Sequence, residues 1–395
     1  MVHAYAQNMQ KHLRRSILQI EENLILFYQV KRNSNLELLR IIAMLMILYT
    51  HLGISPEDGI GKFTFGLLEY WGGVGDDLFF AITAWFMCME RPDFRKACRR
   101  VWNLEKQLLF WSLSLFVVCS VVWWFTDYPM LRSVFDWAHL AVVSVAPLTT
   151  QLWWYPSAYA IFALLCPFIN KGLRAIGREG HAVMATLGLA AFGVVPFFYK
   201  GMGLSVFLFL YQYVMLSYFR WYLSDWEQSR RLALTCATFG IVLVALCGEL
   251  RFLTGWDYGH APWTLPAMIA AFGLILMAIQ AKPYSNVLIN LIAGSTLSVY
   301  LVHGYWPVTI WLQDVVCAGV ADMMANHSMT LRYSAHYLVL LAVYLVIILI
   351  DIMRRFLFSI TVDRTNRNGL WFDYCWSKCA KFLSTKGFDV ESVVH

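Results

Sequence analysis

Ten apolar segments, each between 17 and 22 residues long, dominate this chain. They are 37–54, 72–89, 108–126, 153–169, 182–199, 204–222, 232–249, 262–280, 288–309 and 335–353. An α-helix of this length crosses the hydrocarbon core of a bilayer. Charged residues make up only 14% of the chain, whereas a soluble domain carries about 25%. The sequence therefore predicts an all-α, polytopic membrane helix bundle with about ten transmembrane helices.

The basic residues are unevenly divided between the two sides of the predicted membrane. With the N-terminus in the cytoplasm, 25 of the 31 Lys and Arg residues fall on the inner side and five on the outer side. The remaining one, Arg40, lies within the first segment. Because cytoplasmic loops of membrane proteins are enriched in Lys and Arg, we expect both termini to be cytoplasmic. The net charge of +6 reflects this inner-side excess and requires no nucleic-acid partner.

The predicted membrane domain covers residues 37–355 and is flanked by two cytoplasmic segments. In the N-terminal segment, residues 1–36, Ile17–Val30 mixes apolar and acidic residues. This part is either an amphipathic helix on the membrane surface or a partly ordered tail. The C-terminal tail, residues 356–395, is too short for a stable core of its own. Trp137–Pro147 is too short to cross the bilayer, and we interpret it as re-entrant or interfacial.

Two further features complete the predicted organisation. The longest outer connection is 310–334, and we expect this loop to cover a cleft. The nine cysteines are scattered and indicate no disulfide framework. Cys375 and Cys379 have no neighbouring histidine, so we predict no metal site and no permanently bound cofactor.

Arg40 and His51 lie within the first apolar segment, eleven residues apart. At about 100° per residue, this spacing places both side chains on one face of a helix, separated by about 16 Å along its axis. Charged residues in a membrane-spanning helix are costly and usually mark functional sites. The pattern predicts a polar path through the membrane. The alternative is that Glu37, three residues before Arg40, simply neutralises its charge.

Several other polar residues are predicted to lie at the depth of His51. Counting the rise along each helix places them about 20–24 Å from its inner end. They are Asp76, Asp77, Trp154 and His303. We interpret this set as one polar layer in the outer half of the membrane. Two structural explanations stay open, because histidines can join helices by hydrogen bonds and acids at a helix start complement its dipole.

A ligand that fits such a path is anionic at one end and reactive at the other. Arg suits phosphate because its guanidinium stays charged and donates hydrogen bonds as a fork. Coenzyme A has this shape, with phosphates at one end, a long thin arm and a thioester at the tip. We therefore interpret Arg40 and the basic cluster Arg95–Lys106 as the entrance for an acyl-CoA whose thioester reaches His51. The alternative is that the cluster only determines topology.

Four motifs resemble, in order, those of the membrane acyltransferase-3 family. NLELLRIIAMLMILYTH (Asn35–His51) resembles its first helix with the Arg-x10-His motif, and GGVGDDLFF (Gly72–Phe80) resembles its turn into the second helix. QLWWYPSAYAIFALLCPFIN (Gln151–Asn170) and STLSVYLVH (Ser295–His303) resemble two later signatures. The likeness covers about residues 33–355. Each motif is weak alone, but the ordered set is fairly specific.

This resemblance implies an enzyme that acylates extracytoplasmic carbohydrates. Members of the family use a ten-helix bundle in the plasma membrane, typically bacterial, and usually O-acetylate surface polysaccharides from acetyl-CoA. The expected partners are the bilayer, acyl-CoA and the carbohydrate acceptor. By similarity, Arg40 and His51 take the essential motif roles. Donor binding is assigned to Arg40 together with Arg95, Arg99 and Arg100.

The predicted acceptor pocket is where the sequence departs from the family. We place four residues in this pocket, namely Trp154, Tyr159, Tyr300 and His303. The aromatic residue after Trp154 is Tyr155, followed by Pro156, which changes the expected pocket shape. The usual Ser-Gly pair after Phe-Phe is Thr83-Ala84. Because Gly lets helices approach closely, the packing there must also differ.

For the chemistry, we interpret His51 as a buried, neutral general base that takes the proton of a sugar hydroxyl as it attacks the thioester. We expect Asp77 to orient the imidazole, as a carboxylate does in a catalytic triad. Tyr300, Tyr159 or His303 are the candidates to donate a hydrogen bond to the oxyanion. An acyl-histidine intermediate is an alternative route.

Two other functions are compatible with the sequence. A carrier or flippase for a lipid-linked sugar would use the polar layer for binding without acyl chemistry. A structural membrane protein would use the histidines to join helices. The first predicts substrate movement that is independent of a thioester, and the second predicts that Asn or Gln can replace His51.

Overall fold

The computed structural model describes residues 32–53, 70–126, 128, 130–198, 205–255, 258, 263–363 and 367–386. Within these ranges the chain is helical and contains no β-strand, which confirms the all-α prediction. The predicted amphipathic helix over Ile17–Val30 lies outside the described residues.

The first half of the chain supplies most of the long helices. In order they are α1 Ser34–Leu52, α2 Gly72–Met87, α3 Phe94–Phe125, α4 Val134–Val145, α5 Trp154–Ala175, α6 Gly177–Gly188 and α7 Ser205–Tyr222. After α6, a π-helical segment, Leu189–Val194, continues into Val195–Phe198.

The second half contains several short helices and one very long one. In order they are α8 Arg230–Thr254, α9 Leu265–Gln280, α10 Val287–Ala293, α11 Thr296–His303, α12 Trp306–Trp311, α13 Ala318–Met323, α14 Met329–Ile360 and α15 Arg367–Thr385. A π-helical segment, Leu312–Cys317, joins α12 to α13. The prediction of a loop over 310–334 is therefore wrong for much of that range. Pro307 stands in the first turn of α12, and the mostly apolar residues that follow continue the helix.

Four helical stretches among the described residues are long and apolar enough to cross a membrane. They are α1, α3, α14 and the Arg230–Arg251 part of α8. Two bent pairs raise the number to six if each pair is one span. The chain bends by 120° between Trp154–Ala175 and Gly177–Val194. It bends by 82° between Val287–His303 and Trp306–Met323. The total of ten spans and the cytoplasmic side of both termini stay predictions.

Both sharp bends occur at residues that end or begin helices. Gly177, the first residue of α6, has a φ of +70°, a left-handed conformation that Gly adopts without a Cβ clash. The second bend follows Gly304, which ends α11, and precedes Pro307. Proline suits the first turn of a helix, where no backbone N–H is needed for the intrahelical hydrogen bonds.

The shortest apolar helix of the first half is α4, which folds back along α3. Trp137 Nε1 donates to Ser120 Oγ at 2.9 Å, and Ser112 Oγ donates to the Ser144 carbonyl at 2.7 Å, so the two helices are antiparallel. Twelve residues rise only about 18 Å. This segment, predicted as re-entrant or interfacial, is thus a helix too short to cross a bilayer, and the chain turns from it into α5.

Helix α1 lies between two buried apolar clusters. Leu36 and Leu39, near its start, belong to a cluster formed with α2, α5, α7 and α9. Ile47 and Leu48, nearer its end, belong to a second cluster formed with α3, α11 and α14. The helix that carries Arg40 and His51 is therefore packed on both sides by the bundle.

Candidate functional site

Helix α1 is fixed at its start and runs unbroken to His51. The Asn33 side chain caps it by accepting from the Asn35 backbone N–H at 3.1 Å. Ser34 Oγ donates to Asn290 Oδ1 at 2.9 Å, which attaches the start of α1 to α10. The helix has 19 residues, with Arg40 in its first half and His51 in its last turn. The predicted spacing of these two side chains along one helix is therefore present.

Two glycines bring α2 against α1. A Cβ atom added to Gly72 would lie 2.6 Å from Thr50 Oγ1, and one added to Gly75 would lie 2.5 Å from the Ala43 carbonyl oxygen. Any side chain at these positions would push the helices apart. The GGVGDD motif thus places Asp76 and Asp77 beside the part of α1 that leads to His51.

The imidazole rings of His51 and His303 are in contact. His51 Nδ1 lies 2.9 Å from His303 Nε2, and His303 Nδ1 lies 2.6 Å from the Val299 carbonyl oxygen. A carbonyl oxygen only accepts, so His303 Nδ1 carries a proton and donates it. In a neutral His303, Nε2 is then an acceptor, and His51 Nδ1 must be the donor. By this assignment, His51 Nε2 carries a lone pair that can accept a proton.

The two histidines differ in burial. His303 is 0% exposed, and an imidazolium buried without a counter-charge would be costly, so we assign it as neutral. His51 is exposed. The expectation of a buried His51 is therefore wrong, and its contact with His303, rather than burial, determines which nitrogen is protonated. His303 also has no N–H left for an oxyanion, since its single proton is donated to Val299.

Aromatic side chains connect this histidine pair to the Arg40 half of the bundle. Tyr300 meets His303 edge to face, with ring centroids 5.8 Å apart, and Tyr155 lies 6.3 Å from Tyr300. Tyr159 follows Tyr155 by one helical turn, toward the end of α5 away from Tyr300. A row of phenol groups thus runs between the predicted donor-binding residues and the imidazoles.

Asp77 does not contact His51 as expected. Its Oδ1 accepts from the Gln212 side chain and from the Trp263 backbone N–H, the latter at 2.9 Å. Its Oδ2 is buried and has no hydrogen-bond partner among the described residues. The expected orientation of His51 by Asp77 therefore needs correction. Asp77 instead ties α2 to α7 and to the residues before α9, because those elements present the donors.

Asp76 and Asp77 both line a small cavity between α2, α5 and α7. Trp154, Tyr155 and Trp263 form its aromatic wall. The structure thus brings Trp154, a predicted acceptor residue, together with Asp76. The sequence had indicated Asp76 only as a member of the polar layer. Carboxylates and aromatic rings together can bind a polar ligand that also has apolar faces.

At the opposite end of α1, the predicted donor-binding residues are all paired with carboxylates. Arg40 Nη1 lies 2.6 Å from Glu37 Oε1. This ion pair agrees with the alternative prediction that Glu37 neutralises the charge of Arg40. Arg100 Nη2 lies 2.6 Å from Glu90 Oε1. Burial raises the pKa of Glu90, but hydrogen bonds from Arg100 and Lys96 outweigh it and hold that pKa below 4.5. We call this part of the molecule the basic end.

Arg95 and Arg99 contact the C-terminal helix α15. Their Nη2 atoms lie 2.8 Å and 2.7 Å from the same oxygen, Asp373 Oδ1. Arg99 also lies over the Phe372 ring at 5.0 Å. The region predicted as a simple tail therefore contains a helix that occupies two of the predicted donor-binding residues.

The acyltransferase domain of the acyltransferase-3 family matches residues 33–360 of this chain. The match covers every helix of the bundle from α1 to α14. The chain belongs to the acyltransferase-3 family. This membership makes it a membrane acyltransferase. No curated protein and no solved structure matches the chain.

Several residues around the site of this acyltransferase-3 protein were missed from the sequence. His303 donates to the backbone carbonyl of Val299, and a backbone acceptor cannot be predicted from residue type. Gln212 and His336 were detectable as polar residues inside apolar segments. Gln212 holds Asp77, and His336 Nε2 donates to the Leu52 carbonyl at 2.8 Å, directly after His51. No group of three or more His, Cys, Asp or Glu in the described ranges is placed to hold a metal.

Proposed function

We propose that this acyltransferase moves an acyl group, acetyl in the simplest case, from cytoplasmic acyl-CoA to a hydroxyl of an extracytoplasmic carbohydrate. The observation that carries the proposal is the hydrogen-bonded chain from Val299 through His303 to His51, which assigns the proton of a neutral His51 to Nδ1 and its lone pair to Nε2. The acceptor is an exopolysaccharide, a cell-wall glycan or a lipid-linked glycan. The proposed location is a bacterial plasma membrane, with both termini in the cytoplasm.

In the proposed reaction, His51 Nε2 takes the proton of the acceptor hydroxyl. The hydroxyl oxygen attacks the thioester carbonyl, and the C–S bond breaks as the tetrahedral intermediate collapses. The CoA thiolate then takes the proton from His51 Nε2, so the products are the O-acyl sugar and CoA. While His51 is cationic, His303 Nε2 accepts from its Nδ1–H and stabilises the charge.

The donor end of the reaction rests on Arg40 and Arg100. Each guanidinium group is paired with a carboxylate, Arg40 with Glu37 and Arg100 with Glu90. We propose that the CoA phosphates approach these residues while the pantetheine arm follows Tyr159 and Tyr155. Tyr300, edge to face with His303, is the proposed oxyanion donor.

The acyl-histidine route uses the same lone pair. In that route, His51 Nε2 attacks the thioester itself, CoA leaves, and the acceptor hydroxyl then displaces the imidazole. Release of CoA in a burst before any acceptor is added would identify this route. The direct route predicts no CoA release without acceptor.

Sealed vesicles test the proposal. The protein is inserted with its basic end outward, labelled acetyl-CoA is added outside, and an oligosaccharide acceptor is trapped inside. We expect the label to appear on the trapped acceptor, and His51→Ala with confirmed insertion to abolish this transfer. Movement of a lipid-linked sugar without acetyl-CoA would instead favour a carrier. Full transfer by His51→Ala or His51→Asn would refute the proposed base.

A further inference from the structure

A second cavity, of about 600 Å³, lies at the basic end; of the residues predicted from the sequence to form the donor entrance, Lys106 lines it. It is formed by residues of α3 and α14 together with the chain just before α1 and between α10 and α11. Its charged lining residues are Arg32, Lys106, Arg354, Arg355 and Asp363. Ligand sites commonly have volumes of about 300–1,000 Å³, so the cavity is large enough for a phosphorylated small molecule.

Arg354 is built into the wall of this cavity. It is 8% exposed, and its Nε donates to Asp351 Oδ1 at 2.6 Å. Ser298 Oγ donates to the same oxygen, and Asp351 is 0% exposed. The guanidinium also lies 5.0 Å over the Phe358 ring. Because a carboxylate and a ring hold it in place, the guanidinium can present its remaining N–H groups to an anion with little loss of entropy.

Arg355 is held at the cavity by hydrogen bonds and by the space that Gly294 provides. Its Nη1 donates to the Leu291 carbonyl at 3.0 Å and to Ser295 Oγ at 3.3 Å. A Cβ atom on Gly294 would lie 2.7 Å from that Nη1 atom. Gly294 has a φ of −65°, which any residue adopts, so its missing side chain provides room for the guanidinium rather than backbone freedom.

The charge around the cavity is unbalanced. Four cations face three carboxylates: Asp363, which lies 2.7 Å from Lys106 Nζ, Glu37, whose Oε2 lies 3.9 Å from Arg32 Nη1, and Asp351 behind Arg354. Basic residues that only fix topology need no burial and no ordered partners. Here Arg354 is buried and Arg355 has a dedicated space. Clustered cations with this degree of fixation complement phosphate, which accepts several charge-assisted hydrogen bonds.

We propose that this cavity is a phosphate-binding site, separate from the histidine site, for a phosphate mono- or diester. Two sources share that chemistry. One is a soluble nucleotide, such as the 3′-phosphate end of the acyl donor, whose diphosphate the proposed function places at Arg40 and Arg100; this source rests on the proposed function. The other is an anionic lipid headgroup, since basic pockets between helices on the cytoplasmic side bind such headgroups.

Two probes distinguish the sources with the full-length protein in nanodiscs. The first is 3′,5′-ADP, titrated in phosphatidylcholine nanodiscs by calorimetry. The second is phosphatidylglycerol, measured by its retention on the protein in native mass spectrometry against phosphatidylcholine. We expect saturable binding of one probe, and that probe names the source. No saturable binding of either probe would overturn the proposal.

Substitutions of lining residues test whether the probe binds in this cavity. Arg32→Gln with Lys106→Gln removes two lining cations that are more exposed than Arg354 and are paired with Glu37 and Asp363, and we expect it to weaken the bound probe at least tenfold. The matched control is Arg230→Gln with Lys282→Gln, which removes two exposed cations outside the cavity. Gly294→Ala keeps every charge but displaces Arg355, and we expect a loss of several-fold. Binding that is unchanged in both the double variant and Gly294→Ala would refute the assignment.

The catalytic proposal is tested separately by the same samples. His51→Ala should bind the probe as well as the wild type while losing acyl transfer. Failure of the phosphate site would appear as absent or variant-insensitive probe binding with transfer intact. Failure of the proposed function would appear as absent transfer with probe binding intact.

Discussion

His303 Nε2 lies 2.9 Å from His51 Nδ1, and the other nitrogen of His303 is bonded to a backbone carbonyl. A neutral imidazole thus occupies the position that a carboxylate takes in a catalytic triad. It determines the tautomer of His51 without placing a second charge beside the reacting atoms.

Replacing His303 should impair the chemical step more than substrate binding. His303→Phe removes the acceptor for His51 Nδ1–H, so either nitrogen of His51 can carry the proton. We expect kcat to fall by about 10²-fold or more, with little change in the KM for acyl-CoA. His303→Gln offers an amide oxygen as acceptor and should recover part of kcat. Equal rates for the Phe and Gln variants would show that the contact has no orienting role.

Arg40→Lys should weaken donor binding while the helix stays intact. Lys keeps the charge but cannot donate as a fork to phosphate or to Glu37. We expect the KM for acyl-CoA to rise about tenfold, with kcat changed less. Steady-state kinetics with varied acyl-CoA measure the split. The control is Lys282→Arg, an exposed basic position, and a fall in kcat alone for Arg40→Lys would contradict a binding role.

Asp77→Ala should cost stability rather than change the pH dependence of catalysis. The substitution leaves the buried Gln212 amide and the Trp263 N–H without their acceptor. We expect a loss of about 1–3 kcal/mol in the free energy of unfolding. Asp77→Asn keeps an acceptor oxygen and should retain most activity. Loss of activity in a stably folded Asp77→Asn would restore the triad-like role.

Asp373→Asn should increase the affinity for acyl-CoA. Hydrogen bonds from Arg95 and Arg99 hold the pKa of Asp373 below its usual range, so this carboxylate is ionised at neutral pH and the contact weakens only when the pH falls through that lowered pKa. Because the contact is surface-exposed, it is worth little and is screened by salt. We expect the KM for acyl-CoA to fall by about two- to fivefold at low salt.

The control for Asp373→Asn is Ser377→Ala, an exposed change on the same helix. The effect of Asp373→Asn should vanish at high salt, where the wild-type contact is already weakened. A KM that is unchanged at every salt concentration would show that Arg95 and Arg99 do not bind the donor.

The arrangement of α1 was accessible from the sequence because helical geometry fixes it. The eleven-residue spacing of Arg40 and His51 and the shared depth of His303 both follow from the rise per residue. The glycines of GGVGDD marked a turn, but their role as contact points for Thr50 and the Ala43 carbonyl required the structure. Local periodicity therefore predicted positions along each helix better than contacts between helices.

What the sequence could not supply depends on partners distant in the chain. Asp77 was assigned to His51 because both were predicted at one depth, yet its donors come from α7 and from Trp263. The pairing of Arg95 and Arg99 with Asp373 joins residues more than 270 positions apart. Depth alone does not specify rotation about a helix axis, and that rotation decides which neighbour a side chain meets.

Because α1 is continuous from Ser34 to Leu52, it sets the distance between the two ends of the site. Arg40 and His51 lie on the same helix, so the separation of their Cα atoms along its axis is set at about 16 Å. A donor with a shorter or longer arm between its anionic group and its acyl carbon would reach either Arg40 or His51, but not both. Selection among thioesters would then depend on reach rather than on the identity of the nucleotide.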